Sequence, residues 1–255
     1  MSKNLIYIVA VDNHTSRIPV LEYAQYSIKT WKWYCDKHGI DLLVVDRNQL
    51  DAFDYPIWNK EMIYVLGEGY DKIGIVDCDT IIKWDAPNIF DRIDPDKFYG
   101  VNDLCDLNWL FDSIDQRQKF FPDIEMDISS YINAGVVFFG NAYLYVFKEL
   151  LEFWMANKDE INAIKGGGKE QTLLNFVLQK NKVQIELLSP EWNLLSIHRK
   201  NMFVNNWQLN QIDPNNHQVP HFLKYGKIWH FTGFPIEDRV RIMKQTWDII
   251  KGNYV

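Results

Sequence analysis

Leu5-Ile-Tyr-Ile-Val-Ala-Val11 is an unbroken apolar run of strand length that ends at Asp12. A strand without polar alternation has both faces covered, which points to a sheet packed between layers of helix. Polar residues follow from Asp12 to Arg17, and a helix is predicted from about Pro19 to His38, stopped by Gly39. Asp41 to Val45 reads as a second strand, Asn59 to Leu66 as a helix and Lys72 to Val76 as a third strand. This alternation predicts an α/β fold with a mostly parallel sheet and right-handed crossovers. Further strands are expected at Phe98–Val101, Tyr131–Phe139, Val183–Leu187 and Lys227–Phe231. Helices are expected at Tyr143–Asn157, at Gln171–Gln179 after Gly166-Gly-Gly168, and at Asp238–Ile250. No repeat or linker interrupts the chain, so residues 1–255 are expected to form one domain.

Composition removes several function classes. Acidic residues exceed basic ones, 34 to 27, for a net charge of −7, and a nucleic-acid binder needs a basic face instead. Cys35, Cys78 and Cys105 are odd in number and lack a Cys-x-x-Cys pair, so no disulfide framework or structural zinc is expected. A reducing, cytoplasmic compartment suits them. The Leu5–Val11 run is too short to span a bilayer and has no cleavage site after it, so neither a membrane anchor nor a signal peptide is expected. Aromatic residues make up 15% of the chain, enough to supply sugar-stacking surfaces or simply to fill cores.

Chemistry concentrates at Ile75-Val-Asp-Cys-Asp-Thr-Ile-Ile82. If the strand continues through it, its period of two sends Asp77 and Asp79 to the same face. Paired carboxylates repel unless a cation sits between them, and the carboxyl edge of an open α/β sheet is where ligands bind. A divalent metal carrying a diphosphate would use the pair. The plain alternative is a strand-to-turn exit with solvated carboxylates.

Four motifs occur in order: Asp77-Cys-Asp-Thr80, Tyr131-Ile-Asn-Ala-Gly-Val-Val-Phe-Phe139, Glu170-Gln-Thr-Leu-Leu-Asn175 and Ile228-Trp-His-Phe-Thr-Gly233. Together they resemble the glycogenin-like and bacterial galactosyltransferase-like branch of retaining glycosyltransferases, over roughly residues 5–235. The resemblance implies a single GT-A (Rossmann-like) domain, with a mostly parallel mixed sheet flanked by helices. Its nucleotide-sugar part would cover about residues 1–140 and its sugar and acceptor part about 141–255. Asp77, Asp79 and His230 would ligate a divalent cation, manganese favoured over magnesium because an imidazole joins the carboxylates. A lone histidine between aromatics can instead be a hydrogen-bonded core residue.

The implied donor-binding set is Ala10, Asp12, Lys60, Asp77, Cys78, Asp79, Asn133, Gly135 and Gly233, with Asp12 at the uracil and Lys60 at the phosphates or sugar. Gln171, Glu170 and Asp103 are the implied catalytic residues, Glu170 standing where the family has aspartate. The family's phosphate-binding lysine after the last motif is absent. Phe234-Pro-Ile-Glu-Asp-Arg239 follows Gly233, which leaves Arg239 or Lys227 as replacements. The implied reaction is metal-dependent transfer of a hexose, UDP-linked, to an acceptor hydroxyl with retention, by same-face attack or through a covalent intermediate, whereas a single carboxylate placed as general base would favour inversion. The acceptor is a glycan, a lipid-linked sugar or a protein, with Trp192, His198, Arg199, Trp207, His217 and Tyr225 as candidate contacts. Two alternatives are a haloacid-dehalogenase-like phosphatase with Asp77 as nucleophile and a non-enzymatic carbohydrate-binding protein using the abundant Trp and Tyr, although of Trp31 and Trp33, in the first predicted helix, at least one is expected in the core.

Overall fold

The computed structural model describes residues 2–12, 16–104, 106–195, 212–213 and 216–255, with backbone alone for those between 212 and 222. Cys105, His198, Arg199 and Trp207 lie outside the described residues, as does the side chain of His217.

Strands β1 (Asn4–Val9), β2 (Asp41–Val45), β3 (Lys72–Asp77), β5 (Phe98–Asn102), β6 (Ile132–Gly140) and β7 (Ile185–Leu187) form one sheet in the order β2-β1-β3-β6-β5-β7. The β1–β2, β1–β3 and β5–β7 pairs are parallel, while β6 runs antiparallel to both of its neighbours. The mixed, mostly parallel sheet expected from the sequence is therefore present. A smaller sheet sets β11 (Ile228–His230) between β4 (Thr80–Ile82) and β8 (Leu194–Leu195). Residues 212–213 and 216–220 pair as two short antiparallel strands, β9 and β10.

The apolar strands are covered on both sides by alternation. Leu5, Tyr7, Ile73 and Ile75 pack with Trp58, Phe147 and Trp154 on one face, under helix α4 (Leu144–Ala163). Ile6, Ile8, Val76 and Phe138 pack with Trp31 and Tyr34 of α1 (Leu21–His38) on the other. Each such side chain contributes about 1.5–3 kcal/mol through burial. Gly39 ends α1 in the left-handed region, at φ 65°, donating its N–H to the Cys35 carbonyl. Among the described residues, no helix is long and apolar enough to cross a membrane.

Four local expectations change. The strand does not run on through Asp79: β3 stops at Asp77, Cys78 and Asp79 turn, and β4 starts at Thr80. The segment at Asn59–Leu66 is a 3-10 helix, Pro56–Met62, followed by the single turn α2 (Ile63–Leu66). Helix α4 continues past Asn157, which only kinks it, at φ −123° and ψ 17°. Helix α3 (Leu107–Gln118) was not expected, and Asp106 caps it by accepting the Trp109 N–H. Helices α5 (Lys169–Lys180), α6 (His221–Tyr225) and α7 (Ile236–Ile250) complete the molecule.

Candidate active site

The carboxyl ends of β1 and β3 lie side by side, Val9 opposite Asp77. Beyond Asp77 the turn is pinned from below, since the Thr80 hydroxyl donates to the Asp77 carbonyl at 2.7 Å and accepts from Trp31 Nε1 at 2.9 Å. Strand β11 then runs beside β4 with His230 opposite Thr80, and the Phe231 N–H meets the Asp79 carbonyl at 2.9 Å. The turn, rather than strand periodicity, brings the two carboxylates and the imidazole together.

Asp77, Asp79 and His230 offer ligand atoms that all lie within 4.8 Å of one another. His230 Nε2 stands 3.1 Å from Asp79 Oδ1 and 3.7 Å from Asp77 Oδ2. Among the described residues, neither Nε2 nor Asp79 Oδ1 has a hydrogen-bond partner, although both are buried. Orphaned buried polar atoms are costly, and two hard oxygens with one imidazole nitrogen are a donor set that suits a divalent cation. The residues present therefore fit a metal.

Two cations flank the carboxylates. Lys60, buried, reaches Asp77 Oδ1 at 2.6 Å and Glu170 Oε2 at 3.6 Å. Burial disfavours its charge, but Asp77 and then Glu170 outweigh that and raise its pKa. Glu170, also buried, is pushed up to about 7 by desolvation, against the opposing pull of Lys60. On the other side Arg239 Nε approaches Asp79 Oδ2 at 3.3 Å, with its guanidinium over the Tyr23 ring. Burial opposes the Asp79 charge, yet Arg239 leads the interactions that hold its carboxyl well below the usual range. Lys227 is placed differently. It pairs with Glu191 beside the Trp192 ring.

Two cavities meet at Lys60 and Asp77. The larger, of 830 Å³, is lined by Asp103, Asn133, Gly135, Glu170, Gln171, His230 and Gly233 among others. The smaller, of 410 Å³, is lined by Val9, Val11, Ile18, Tyr23, Cys78, Asp79 and Arg239 among others.

No protein-family model and no curated protein sequence matches the chain. Solved structures do. A glycosyltransferase involved in glycosylation of the major capsid of PBCV-1 superposes with a TM-score of 0.61 at 14% identity, over 95% of this chain and 99% of that one. The galactosyltransferase LgtC, solved with donor and acceptor sugar analogues, superposes with a TM-score of 0.51 at 13% identity, over 98% of this chain and 99% of its own. The bifunctional glycosyltransferase WbbM gives 0.56 at 15% identity over 97% of this chain, which spans 51% of WbbM. The chain has the GT-A glycosyltransferase fold.

Within this GT-A fold the expected residues divide into those that meet and those that stand apart. Asp103, Asn133 and Gln171 converge: Asp103 Oδ2 accepts from Asn133 Nδ2 and Gln171 Nε2, each at 3.0 Å. Gln171 Oε1 accepts from Asn133 Nδ2 at 3.0 Å and from the Ala134 N–H at 3.2 Å. Gly135 lies under the Asp77–Asp79–His230 group, where a Cβ would fall 2.3 Å from His230 Cε1. Gly233 bends the chain after His230 at φ 78°, in the left-handed region. Cys78 lines the smaller cavity, and burial pushes its thiol up to about 12. Ala10 is buried at the end of β1, while exposed Asp12 accepts the Val20 N–H at 2.5 Å, tying the loop to α1. Trp31 is fully buried, as expected of at least one of the two helix tryptophans, and Trp33 packs edge-on against Tyr254.

Sequence reading missed Asn193, which is fully buried and bonded to both Asn133 and His230. It missed the buried layer behind Gln171 as well, where the Thr172 hydroxyl meets Ser113 Oγ at 2.6 Å and Tyr131 OH at 2.8 Å. Neither carries a local signal, because every partner is remote in sequence.

Proposed function

We propose that this protein is a metal-dependent glycosyltransferase that moves a hexose from a nucleotide diphosphate sugar, UDP-linked, to an acceptor hydroxyl with retention. The observation that carries this reading is the buried Asp77–Asp79–His230 group, with two unpartnered ligand atoms, where two cavities meet. These three residues would hold a divalent cation, manganese favoured over magnesium, which when bound supplies Lewis-acid neutralisation of the departing diphosphate. Lys60 adds a fixed positive charge on the sugar side, and Arg239 adds one on the nucleotide side, in place of the lysine missing after Gly233. The smaller cavity is assigned to the nucleoside and the larger to the hexose and its acceptor, a glycan, a lipid-linked sugar or a protein.

Asp103, Asn133 and Gln171 would bind and orient sugar hydroxyls as a preformed cluster. Glu170 is bound to Lys60 and almost wholly enclosed, which favours a charge-balancing role over attack on the sugar. Gln171 and Asp103, both half-buried in the lining of the larger cavity, are the groups left for the sugar, and two amides already donate to Asp103 Oδ2, which favours transfer on the leaving-group face over attack by that carboxylate. Asp77 as a phosphatase nucleophile fits less well, since the strand that carries it belongs to a GT-A fold. The whole chain would act as one domain, and the free Cys35 and Cys78 thiols suit a reducing cytoplasm.

The test is a panel of nucleotide sugars with Mn²⁺, followed by release of the nucleoside diphosphate. UDP-hexoses should be cleaved, and Asp79→Ala should lower that release at least about a hundredfold with the fold intact. Release by Asp79→Ala at the wild-type rate would sink the assignment.

A further inference from the structure

His230 brings the single nitrogen to the Asp77–Asp79–His230 group. A cation can use that nitrogen only where Nε2 carries a lone pair instead of a proton. The surrounding hydrogen bonds fix which it is. The Gly135 N–H can only donate, and it meets Asn133 Oδ1 at 2.9 Å. The Asp103 carboxylate accepts, and it meets Asn133 Nδ2 at 3.0 Å. The Asn133 amide is therefore oriented from both ends. Asn193 meets that same Asn133 Oδ1 at 3.0 Å, so it must present its amide nitrogen there. Its oxygen then faces His230 Nδ1 at 2.9 Å, which places the proton of the neutral ring on Nδ1.

We propose that Asn193 is a positioning residue, relaying the orientation of Asn133 to His230 so that Nε2 stays bare for a divalent cation. This rests on the metal reading of Asp77, Asp79 and His230. Asn193 is fully buried and sits just before β8, whose Leu195 lies opposite His230 in the small sheet. Among the described residues, Asn193 Oδ1 is the acceptor that Nδ1 meets. Without Asn193 the two carboxylates 3.1 Å and 3.7 Å from Nε2 draw the ring proton to that side, and the cation must then displace it.

The experiment uses the full chain labelled with ¹⁵N-histidine. Long-range ¹H–¹⁵N spectra report the tautomer, and His230→Gln assigns the signal. Wild-type His230 should be protonated at Nδ1, and Asn193→Ala should shift the proton to Nε2. Mn²⁺ binding, followed by electron paramagnetic resonance in the presence of UDP, should weaken about 10–100-fold in Asn193→Ala. The tautomer shift is a readout that a purely structural role for the amide would not move. A wild-type ring protonated at Nε2 would overturn the proposal whether or not the variants fold. So would unchanged Mn²⁺ affinity in a folded Asn193→Ala. Wild-type protein that binds no Mn²⁺ would overturn the metal reading, and this proposal with it.

Discussion

Lys60 is enclosed by acids on more than one side, and their states of charge differ. Asp77 and Glu170 face its ammonium at 2.6 Å and 3.6 Å, whereas neither carboxylate oxygen of the adjacent Glu61 has a hydrogen-bond partner although the residue is fully buried. Burial first, and then the Glu170 charge, raise the Glu61 pKa well above its ordinary 4.5. The sign of the consequence follows. The unfolded chain loses this proton near the ordinary value while the folded chain keeps it, so the stability present below that value is lost as pH rises towards the folded pKa. The loss runs at up to about 1.4 kcal/mol per pH unit. Glu61→Gln mimics the protonated acid, so it should match wild type at pH 5 and exceed it at pH 8, as denaturant melts at the two pH values would report. Arg239 invites a separate measurement, because its guanidinium stands at Asp79 with its face over Tyr23. Arg239→Ala should lower kcat/KM for donor cleavage about 10–100-fold, and lysine should restore only part, having one point charge where arginine has a planar fork.

Strand β6 shows how one element can be both core and site. All nine of its residues are buried, and its side facing β3 brings Gly135 against Asp77 and His230. A methyl group there would lie 2.6 Å from Asp77 Oδ2 and 2.3 Å from His230 Cε1, closer than atoms can pack. Gly135→Ala should therefore abolish Mn²⁺ uptake measured by calorimetry, while melting of the protein stays cooperative. The same strand was plain in the sequence, and so were β1, β2 and β3, because strands covered on both faces are written as apolar runs. Asp77, Asp79 and His230 were legible through their motifs, although the geometry that joins them is a turn rather than a continued strand. Helix α3 was obscured because Leu107 and Phe111 are exposed in it, which blurs the helical apolar period that reading depends on. Asn193 was invisible for a different reason: one asparagine before a two-residue strand resembles any loop amide until β11 and β6 bring its partners to it.

Across the molecule, two cavities, 410 Å³ on the Arg239 side and 830 Å³ on the Gln171 side, adjoin with Lys60 and Asp77 in both linings. A ligand that spans both touches residues from β1, β3, β6, α5, β11 and α7, so its binding energy adds to the stability of elements far apart in the chain. The Asp77–Asp79–His230 group lies there, and each carboxylate already has a cation beside it, Lys60 at Asp77 and Arg239 at Asp79. On the proposed reading, a diphosphate alone would meet two carboxylates and two cations, whereas one arriving with Mn²⁺ would also give His230 Nε2 and Asp79 Oδ1 a partner. UDP and Mn²⁺ together should therefore raise the melting temperature by more than the sum of their separate effects. At ligand concentrations about a hundred times Kd the gain is roughly 2.7 kcal/mol, or about 5–10 °C for a protein of this size. Asp79→Ala should lose the Mn²⁺-dependent part of that shift and keep the part due to the nucleoside, because the smaller cavity stays intact. Equal shifts with and without Mn²⁺ would place the diphosphate away from the Asp77–Asp79–His230 group, and differential scanning fluorimetry across the four ligand combinations decides between the two.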